Sequence, residues 1–493
     1  MITIEKISEV HVRVYTDASI AQELSDFFTF EVPGARFTPQ YKARIWDGKI
    51  RLYDLHRKTL YVGLLKYVLD FADRNGYDVS YLNDVVATTK IDRETVEAFA
   101  KFLNPCSRGN PIEIRDYQVD AVMKAITDER TLLLSPTASG KSLIIYTLMR
   151  YHLEHSRKCI IIVPTTSLVE QMYSDFMDYS TGNSWKVSNN CQKLYSGFTK
   201  QVTSNVLITT WQSIYKQPKE WFANFDVIFG DEAHQFKAKS LSTVMEKMTS
   251  AKYRVGTTGT IDNSKVHKLV LEGLFGPVHR VTSTKELMEN KQVANLKIKC
   301  ILLKYDDETR KILSKAKYQD EMSFIISHDR RNKFIRNLAV SCEGNTLVLF
   351  QQVAKHGKVL FELIKDKVHD GRKVFFVYGG TDTEVREEVR SLMETQTDAI
   401  VIASYGVYST GINIPSIENV IFASPSKSKI RNLQSIGRGL RLKNGKEHCN
   451  LFDIADDLSW KSHKNHTLGH LTERLKTYSE EKFAYKLMEV ELE

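Results

Sequence analysis

The sequence lacks the features that mark several specialised classes of protein. Its 493 residues contain six scattered cysteines, and no two of them form a Cys-x-x-Cys pair. This spacing argues against zinc and iron–sulfur sites and favours reduced thiols. No apolar run approaches the roughly 18 residues of a membrane span, and residues 1–6 do not begin a charged-then-apolar leader. We therefore expect an intracellular, cytoplasmic protein.

Low-complexity tracts and short-period repeats are also missing. An apolar share of 42% and a charged share of 26% are typical of a soluble globular protein, and the length suggests about three domains. The formal net charge of +9 has the sign that suits a polyanionic partner.

The stretch from Thr131 to Met149 reads as a buried strand, a loop of small residues and a helix. Such a loop binds phosphate, because the helix dipole and free backbone N–H groups point at the anion. Lys141 would contact the terminal phosphates, and the Ser142 hydroxyl would ligate Mg²⁺. An ordinary strand–helix turn is the alternative. The predicted phosphate loop consists of Ser135, Pro136, Thr137, Ala138, Ser139, Gly140, Lys141 and Ser142.

The first position of this loop departs from the usual pattern, which has glycine where this chain has Ser135. A serine suffices if φ stays negative there, since glycine is needed only where φ turns positive. Upstream of the loop, Gln118 could read an adenine edge while Arg115 or Tyr117 flanks the ring. A plain helix N-terminus is the alternative for this short segment.

Further apolar strands alternate with helices and end in polar residues. Pro164 and Thr165 follow one of these strands, and Thr209 and Thr210 close another. This order predicts a parallel α/β sheet whose site lies along the carboxyl edge of its strands.

Two adjacent carboxylates, Asp231 and Glu232, follow a third strand. Asp231 can hold Mg²⁺ through a water molecule, while Glu232 orients and deprotonates the attacking water. The alternative is two acids on a solvated turn. The preceding phosphate loop favours the catalytic interpretation.

Four motifs in this order resemble motifs I, Ia, II and III of superfamily two helicases. They are the phosphate loop, Val163-Pro164-Thr165, Asp231-Glu232-Ala233-His234 and Thr258-Gly259-Thr260, and Gln118 falls where that family's Q motif lies. The resemblance implies that His234, Thr258 and Thr260, together with Gln434 further along the chain, couple ATP hydrolysis to nucleic-acid binding.

A second α/β lobe should follow if the resemblance holds. Phe350-Gln351 resembles motif IV, and Ser404-Tyr405 with Thr410-Gly411 resembles motif V, although many relatives have aspartate where Asn413 stands. The resemblance implies that Gly411 contacts ATP. It also implies that loops at the strand ends grip the backbone of one nucleic-acid strand, through Pro164, Thr165, Thr209, Thr210, Phe350, Gln351, Ser404, Tyr405 and Thr410. Gln434 to Arg441 resembles motif VI and places Arg438 and Arg441 on one helical face. In the family, such arginines reach across the cleft to the γ-phosphate. We predict that Arg441 is the arginine finger and that Arg438 lies beside it, with a merely basic helix face as the alternative.

The N-terminal segment contains a basic, aromatic stretch around Asp47-Gly48, a strong signal for a two-residue hairpin turn. A hairpin closed there would place cations and aromatics on one face, suited to a phosphate backbone with a base or sugar against a ring. A solvated outer face is the alternative. The residues predicted to bind nucleic acid here are Lys42, Arg44, Trp46, Lys49 and Arg51.

The expected fold class is α/β, with two tandem RecA-like parallel-sheet lobes after a small α+β N-terminal nucleic-acid-binding domain. Residues 281–340 read as helical and charged, and the tail as helical. The expected domains are residues 1–105 (nucleic-acid binding), 106–280 (ATP-binding lobe 1), 281–455 (lobe 2) and 456–493 (tail).

Within the superfamily, the overall pattern is most similar to the UvsW-type bacteriophage helicases. This resemblance implies an ATP-dependent DNA helicase that uses ATP and Mg²⁺ to remodel forks, Holliday junctions and R-loops in recombination, replication and repair. The expected partners are branched, duplex and single-stranded DNA and RNA–DNA hybrids, with no membrane and with a monomer favoured. The cytoplasm would be that of the host. An RNA helicase, a double-strand translocase that opens nothing and a non-motor ATP sensor are the alternatives.

Overall fold

The computed structural model forms two compact units, one comprising residues 1–135 and 140–281 and the other residues 136–139 and 282–493. For residues 237, 239, 240, 383, 409, 410, 429–431 and 438 the structure describes the backbone alone. The structure describes residues 1–32, 34–85, 89–197, 199–237, 239–261, 264–369, 371–410, 414, 416–426, 428–440 and 446–492.

The N-terminal module combines short strands and helices. A four-stranded sheet in the order β5-β2-β1-β6 buries one face, and β3 and β4 form a separate antiparallel pair. The elements are β1 (Ile2–Lys6), β2 (His11–Tyr15), α1 (Ala18–Phe27), β3 (Thr29–Glu31), α2 (Pro39–Lys42), β4 (Lys49–Arg51), β5 (Thr59–Tyr61), α3 (Leu65–Asn75), β6 (Val79–Tyr81), α4 (Arg93–Leu103), β7 (Cys106–Ser107) and β8 (Asn110–Pro111).

The hairpin predicted around Asp47-Gly48 is wrong. Thr38 accepts a hydrogen bond from Tyr41 N–H and caps α2, so the chain before the turn is helical rather than extended. Strand β4 pairs instead with β3, which the chain supplies from further upstream. The expected cationic hairpin face is therefore not formed, and Arg51 forms an ion pair of 2.6 Å with Asp47.

The N-terminal module shares its core with the first lobe. Leu269 of that lobe belongs to the module's apolar cluster. Tyr67 Oη donates to Glu272 at 2.7 Å, and a Cβ on Gly63 would lie 2.0 Å from the Glu272 carbonyl oxygen. The two backbones approach so closely here that only glycine fits. The module and the first lobe therefore belong to one compact unit.

The first lobe is built on a seven-stranded, wholly parallel sheet in the order β11-β12-β10-β13-β14-β9-β15. Its elements are α5 (Asp116–Asp128), β9 (Arg130–Leu134), α6 (Lys141–Glu154), β10 (Cys159–Val163), α7 (Thr166–Tyr179), α8 (Val187–Asn190), β11 (Cys191–Leu194), β12 (Val206–Thr210), α9 (Trp211–Ile214), α10 (Lys219–Phe222), β13 (Val227–Gly230), α11 (Lys239–Lys247), β14 (Tyr253–Thr258), α12 (Lys265–Phe275) and β15 (Val278–Arg280).

Helices cover both faces of this sheet, and apolar clusters fill the two layers between. Strands β10 and β13 are buried at every position. Burial on both faces explains why these strands read as continuous apolar runs rather than as alternating patterns.

The second lobe repeats the plan with a parallel sheet in the order β18-β19-β17-β20-β21-β16-β22. Its elements are α13 (Thr284–Glu289), β16 (Asn295–Lys304), α14 (Asp307–Leu313), α15 (Tyr318–Ser327), α16 (Asp329–Ser341), β17 (Thr346–Phe350), α17 (Lys358–Lys365), β18 (Lys373–Val377), α18 (Thr383–Thr395), β19 (Ala399–Ser404), α19 (Tyr405–Thr410), β20 (Asn419–Phe422), α20 (Lys429–Gly439), β21 (His448–Asp457), α21 (His466–Glu480) and β22 (Tyr485–Glu491). The prediction of two tandem RecA-like lobes is confirmed.

Two segments of this lobe differ from the helical structure that the sequence suggested. Residues 281–340 include β16, which lies inside the sheet between β21 and β22. The tail carries α21 but also β22, which pairs with β16 alone. Strand β16 carries lysines in its exposed first half, and β22 is exposed along most of its length, so neither reads as an apolar run from end to end.

Strand β21 carries two buried acids, Asp453 and Asp456, whose spacing of three residues directs them to opposite faces of the sheet. Each acid accepts hydrogen bonds of 2.7–2.8 Å from an arginine and a tyrosine. These partners are Arg474 and Tyr478 for Asp453, and Arg331 and Tyr305 for Asp456. Helices α16 and α21 are thereby fixed to one strand from its two sides.

No helix in the described part of the chain combines the length and the apolar character needed to cross a membrane.

An ion pair between Glu9 and Arg130 joins the module to the first lobe at 2.6 Å, with side chains 19% and 11% exposed. Burial alone would raise the pKa of Glu9, but Lys6 and Arg130 outweigh it and hold that pKa below its ordinary value of 4.5. The stabilisation is therefore complete above pH 4.5 and is lost as the pH falls through the lowered pKa.

We expect Glu9→Gln to lower the free energy of unfolding by about 2 kcal/mol at pH 7, because it weakens charge-assisted hydrogen bonds to a buried guanidinium. Urea unfolding across a pH series should show the deficit shrinking in acid. Glu289→Gln, which removes an exposed helical ion pair, serves as the control and should cost less than 0.5 kcal/mol. A Glu9→Gln deficit independent of pH would contradict this account.

Candidate nucleotide-binding and catalytic site

The predicted phosphate loop lies between β9 and α6, at the carboxyl edge of the first sheet. Ser135 N–H donates to the Thr258 carbonyl at 2.8 Å, which ties the start of the loop to the end of the neighbouring strand β14. Lys141 Nζ donates to the Ser135 carbonyl at 3.2 Å, so the lysine lies back along the loop. Ser142 Oγ shares a hydrogen bond of 2.9 Å with Tyr179 Oη.

Backbone conformation accounts for the serine at the first loop position. Positive φ values in the loop occur at Ala138 (70°) and at Gly140 (81°), and Ser135 is not among the residues with positive φ. Glycine is therefore not required at Ser135, as the sequence argument anticipated. Ala138 occupies a left-handed conformation that costs a non-glycine residue roughly 1 kcal/mol.

Gln118 is buried against the phosphate loop. Its Oε1 accepts a hydrogen bond of 2.9 Å from Arg115 N–H, which caps α5. A Cβ built on Gly140 would lie 2.3 Å from Gln118 Nε2, so the glycine leaves room for the glutamine. Arg115 donates to Tyr117 Oη at 2.9 Å. The structure thus brings all three predicted adenine-side residues to the base of the loop.

Asp231 follows β13 at the same edge of the sheet, buried, with its Oδ1 accepting from Thr257 Oγ1 at 2.8 Å. Burial raises the pKa of Asp231, and the neighbouring Glu232 charge adds to the rise. Lys141 and the Thr257 hydrogen bond oppose the shift without cancelling it. An ionised Asp231 is therefore held at a free-energy cost that a bound cation would relieve.

Glu232 and His234 connect this acid pair to strand β14. Glu232 has a left-handed φ of 49°, a strained conformation for a side chain of its size. His234 Nδ1 lies 3.3 Å from Glu232 Oε2 and 3.0 Å from Thr258 Oγ1, and Thr258 Oγ1 donates to the Thr260 carbonyl at 2.9 Å. Thr258 Oγ1 thus lies within hydrogen-bonding distance of both His234 Nδ1 and the Thr260 carbonyl, so one hydroxyl joins the histidine to the residues after β14.

In the second lobe, several of the predicted site residues lie outside the part of the chain that the structure describes. Gln434 and the backbone of Arg438 lie on α20, whereas Gly411 and Arg441 fall outside the described residues. The Arg438 side chain and the Thr410 side chain are likewise outside the description.

The residues predicted to grip nucleic acid in the two lobes differ in exposure. Side chains of Pro164, Thr165, Gln351 and Ser404 reach solvent at least in part. Thr209, Thr210, Phe350 and Tyr405 are buried, so they could contact a strand only through the backbone in this conformation. Thr209 Oγ1, for example, donates to the Leu194 carbonyl at 2.8 Å inside the sheet.

Sequence reasoning missed two residues of the site. Tyr179 comes from the last turn of α7 and Thr257 from β14, and neither belongs to a motif pattern. Thr257 could have been suspected, since it precedes the Thr258 of motif III and alternates onto the other face of the strand. No signal pointed to Tyr179.

Residues of this site fit a magnesium nucleotide. The described residues contain no group of three His, Cys, Asp or Glu side chains that could hold a metal alone. Magnesium needs no such group, because it is bound through one or two protein oxygens together with substrate phosphates. Ser142, Asp231 and the strained, glycine-containing loop provide the hydroxyl, the carboxylate and the phosphate cradle for such binding.

Three protein families match successive parts of the chain. Residues 2–82 match the N-terminal domain of DNA helicase UvsW, residues 111–263 match the res subunit of Type III restriction enzymes, and residues 329–443 match the helicase conserved C-terminal domain. With the fold and the site, these matches define a superfamily two helicase.

Whole-chain relatives narrow the assignment. The ATP-dependent DNA helicase UvsW of Enterobacteria phage T4 is 36% identical over 98% of both chains. The crystal structure of T4 UvsW covers all of both chains with a TM-score of 0.53 and 34% identity. The chain therefore belongs to the UvsW family of ATP-dependent DNA helicases.

Two more distant matches cover only part of the chain. The DNA 3'-5' translocase XPB2 of Sulfurisphaera tokodaii is 23% identical, over 67% of this chain and 79% of the relative. Yeast Dbp5 bound to RNA and ADP BeF3 is 13% identical and covers 77% of this chain and 90% of that chain with a TM-score of 0.51, which shows the fold.

We expect Asp231→Asn to raise the melting temperature of the nucleotide-free protein at pH 7, because it removes a buried charge whose pKa is raised. An acid with a raised pKa destabilises the folded state at every pH above its ordinary value of 3.8, and protonation restores that stability in acid. Thermal unfolding from pH 4 to pH 8 should therefore show the gain of the variant increasing with pH. Glu220→Gln, which removes an exposed charge, is the control and should show no such gain. A variant less stable than wild type at pH 7 would contradict the account.

Proposed function

We propose that this protein couples ATP hydrolysis to translocation along DNA and to the remodelling of branched DNA, such as forks, Holliday junctions and R-loops, in recombination, replication and repair. The observation that carries the proposal is the Asp231–Glu232 pair at the phosphate loop, in which Asp231 is buried and Glu232 is linked by His234 to strand β14. Similarity to a DNA helicase over nearly the whole chain supports DNA rather than RNA as the substrate.

The first lobe would bind and activate the nucleotide. Lys141 leaves the Ser135 carbonyl to contact the terminal phosphates, and Ser142 with Asp231 holds Mg²⁺, which neutralises phosphate charge when bound. Glu232 orients the attacking water and accepts its proton. Arg438 and Arg441 stabilise the charge that develops on the γ-phosphate.

His234 would report the state of Glu232 to the nucleic-acid side of the lobe. It lies within 3.3 Å of Glu232 and hydrogen-bonds Thr258, whose hydroxyl continues to Thr260. A change in the charge or position of Glu232 on hydrolysis therefore reaches the loop after β14 through two hydrogen bonds. This loop lies at the same carboxyl edge of the sheet as Pro164 and Thr165.

The N-terminal module would bind a duplex arm of the branched substrate. Lys42, Arg44 and Lys49 are exposed on one short segment, together with Ile45 at 80% and Phe37 at 83% exposure. Cations beside exposed apolar side chains suit a phosphate backbone with a sugar or base packed against it. Because the module shares a core with the first lobe, this segment moves with the ATP site.

Glu232→Gln should bind ATP with near wild-type affinity while its turnover falls by about 10²–10⁴-fold, since only the proton acceptor is lost. Equilibrium binding of a fluorescent ATP analogue and phosphate release measure the two properties. Strand separation should stop with hydrolysis. Continued unwinding by this variant would favour an ATP-gated sensor and contradict a motor.

A panel of nucleic acids tests the substrate class. Forked DNA, Holliday junctions, R-loops, single-stranded DNA and single-stranded RNA are each assayed for stimulation of the ATPase and for product formation. The proposal predicts the strongest stimulation and remodelling with branched DNA. Stimulation by RNA alone would indicate an RNA helicase. Displacement of a triplex strand without opening of forks would indicate a double-strand translocase.

The double variant Lys42→Gln/Arg44→Gln should weaken binding to branched DNA and reduce the slope of log K against log salt concentration by about 0.7–0.9 per lost phosphate contact. Basal ATPase should not change, because neither residue belongs to the ATP site. Lys66→Gln/Lys101→Gln removes the same charge from exposed positions on α3 and α4 and is the matched control. Equal effects of the two double variants would assign the binding to net charge rather than to this segment.

A further inference from the structure

The loop that precedes α20 in the second lobe is held by a buried serine. Ser424 is 1% exposed and lies between β20 and α20. Its Oγ accepts from Gln351 N–H at 3.1 Å and lies 3.0 Å from His356 Nδ1. Its carbonyl oxygen accepts from Tyr405 Oη at 3.2 Å. One residue thus bonds to two other segments of the lobe.

Those two segments are the ones expected to grip nucleic acid. Gln351 follows strand β17, and Tyr405 follows strand β19. Both strands lie beside each other in the parallel sheet, so their carboxyl ends reach the same edge as Ser424. A nucleic acid that displaces either segment would therefore change the hydrogen bonds that the segment makes to Ser424.

The segment after Gln351 continues into an irregular helical turn. Residues Val353–Gly357 form a π-helical turn, in which the Gln352 carbonyl accepts from His356 N–H at 3.2 Å and from Gly357 N–H at 2.9 Å. The first bond has α-helical spacing and the second has π spacing, and such π turns occur frequently at functional sites. His356 is buried, and burial lowers its pKa to about 3, so the ring beside Ser424 stays neutral.

The loop that holds Ser424 is anchored on both sides of that residue and is also bonded to α20. Arg331 donates to the Ala423 carbonyl and Arg474 to the Ser426 carbonyl, each at 2.9 Å. Both arginines are in turn anchored on the buried acids of strand β21. Asn432 of α20 donates to the same Ser426 carbonyl at 3.4 Å, so the Ser424 loop contacts the helix that begins at Lys429 and carries Arg438.

We infer that Ser424 is a positioning residue, which ties the loops after β17 and β19 to helix α20 so that nucleic-acid binding sets the orientation of the motif VI arginines. This inference rests on the proposed function, because it takes those loops as nucleic-acid contacts and α20 as part of the ATP site. Ser424 itself touches neither ligand.

The test compares Ser424→Ala with Ser416→Ala. Ser416 is a buried serine of the same lobe whose Oγ donates to the Met393 carbonyl at 2.7 Å, so both variants lose one buried hydroxyl. Ser424→Ala should retain basal ATPase within about twofold and lose roughly tenfold of the DNA-stimulated rate, the range of ordinary coupling between two sites. Ser416→Ala should retain both rates. Tyr405→Phe, which deletes the bond to the Ser424 carbonyl, should reduce stimulation in the same direction and provides the test if Ser424→Ala does not fold.

Stimulation of the wild-type ATPase by DNA distinguishes failure of the proposed function from failure of the positioning role. If DNA does not stimulate the wild-type ATPase, the proposed function is wrong and the inference falls with it. If DNA stimulates wild type and Ser424→Ala equally, the proposed function stands and the positioning role is wrong. Equal losses in Ser424→Ala and Ser416→Ala would also overturn it, because general loosening of the lobe would then explain both. A Ser424→Ala defect in stimulation, with unchanged melting temperature relative to Ser416→Ala, supports the inference.

Discussion

Parallel pairing of strands is the constraint on which the working parts of this protein depend. In a parallel sheet, every strand delivers its carboxyl end to the same edge, so short motifs that are far apart in sequence meet without any special contact between them. In the first lobe, this register brings Ser135 beside Thr258 and places Asp231 one strand away. In the second lobe, the same rule gathers the ends of β17, β19 and β20 around Ser424. Each lobe therefore uses a hydroxyl at a strand end, Thr258 or Ser424, to link adjacent loops.

Several residues near the nucleotide site are conformationally or electrostatically strained, unlike those of the surrounding core. Ala138 and Glu232 adopt left-handed conformations, and Asp231 carries a charge that its surroundings disfavour. Such features persist only where the rest of the structure imposes them, and here seven strands and two apolar layers do so. A bound cation can relieve the electrostatic part of this cost, and this relief favours the bound state. The Ser142–Tyr179 and Lys141–Ser135 hydrogen bonds show how the same side chains are occupied within the protein itself.

The sequence allowed prediction of those features that depend on local pattern. Fully buried strands such as β10 and β13 appear as apolar runs, and the loop between β9 and α6 has its own spacing of small residues, so the two-lobe fold and the order of its motifs were readable. The failures concern partners that are distant in sequence. Asp47-Gly48 is a good turn signal, but the cap at Thr38 made the preceding residues helical and β3 supplied the pairing strand. The strand β16 was missed because its lysines resemble those of the charged helices around it. Tertiary hydrogen bonds, such as those of Tyr179 and Ser424, leave no trace in a local pattern.

The pairing of β16 with β21 has a consequence for how the chain folds while it is being made. Lys304 and Asp457, at the paired ends of these strands, are 153 residues apart in sequence. Contacts of such long range form slowly, because closing a large loop costs entropy before any contact forms. The first lobe and its N-terminal module have no sheet partner beyond β15 (Val278–Arg280) among the described strands and can fold as soon as they leave the ribosome. The second lobe must wait for β21. During that interval a growing chain would present a folded first sheet together with an open, apolar β-sheet edge at β20, the state in which protection by chaperones would matter most.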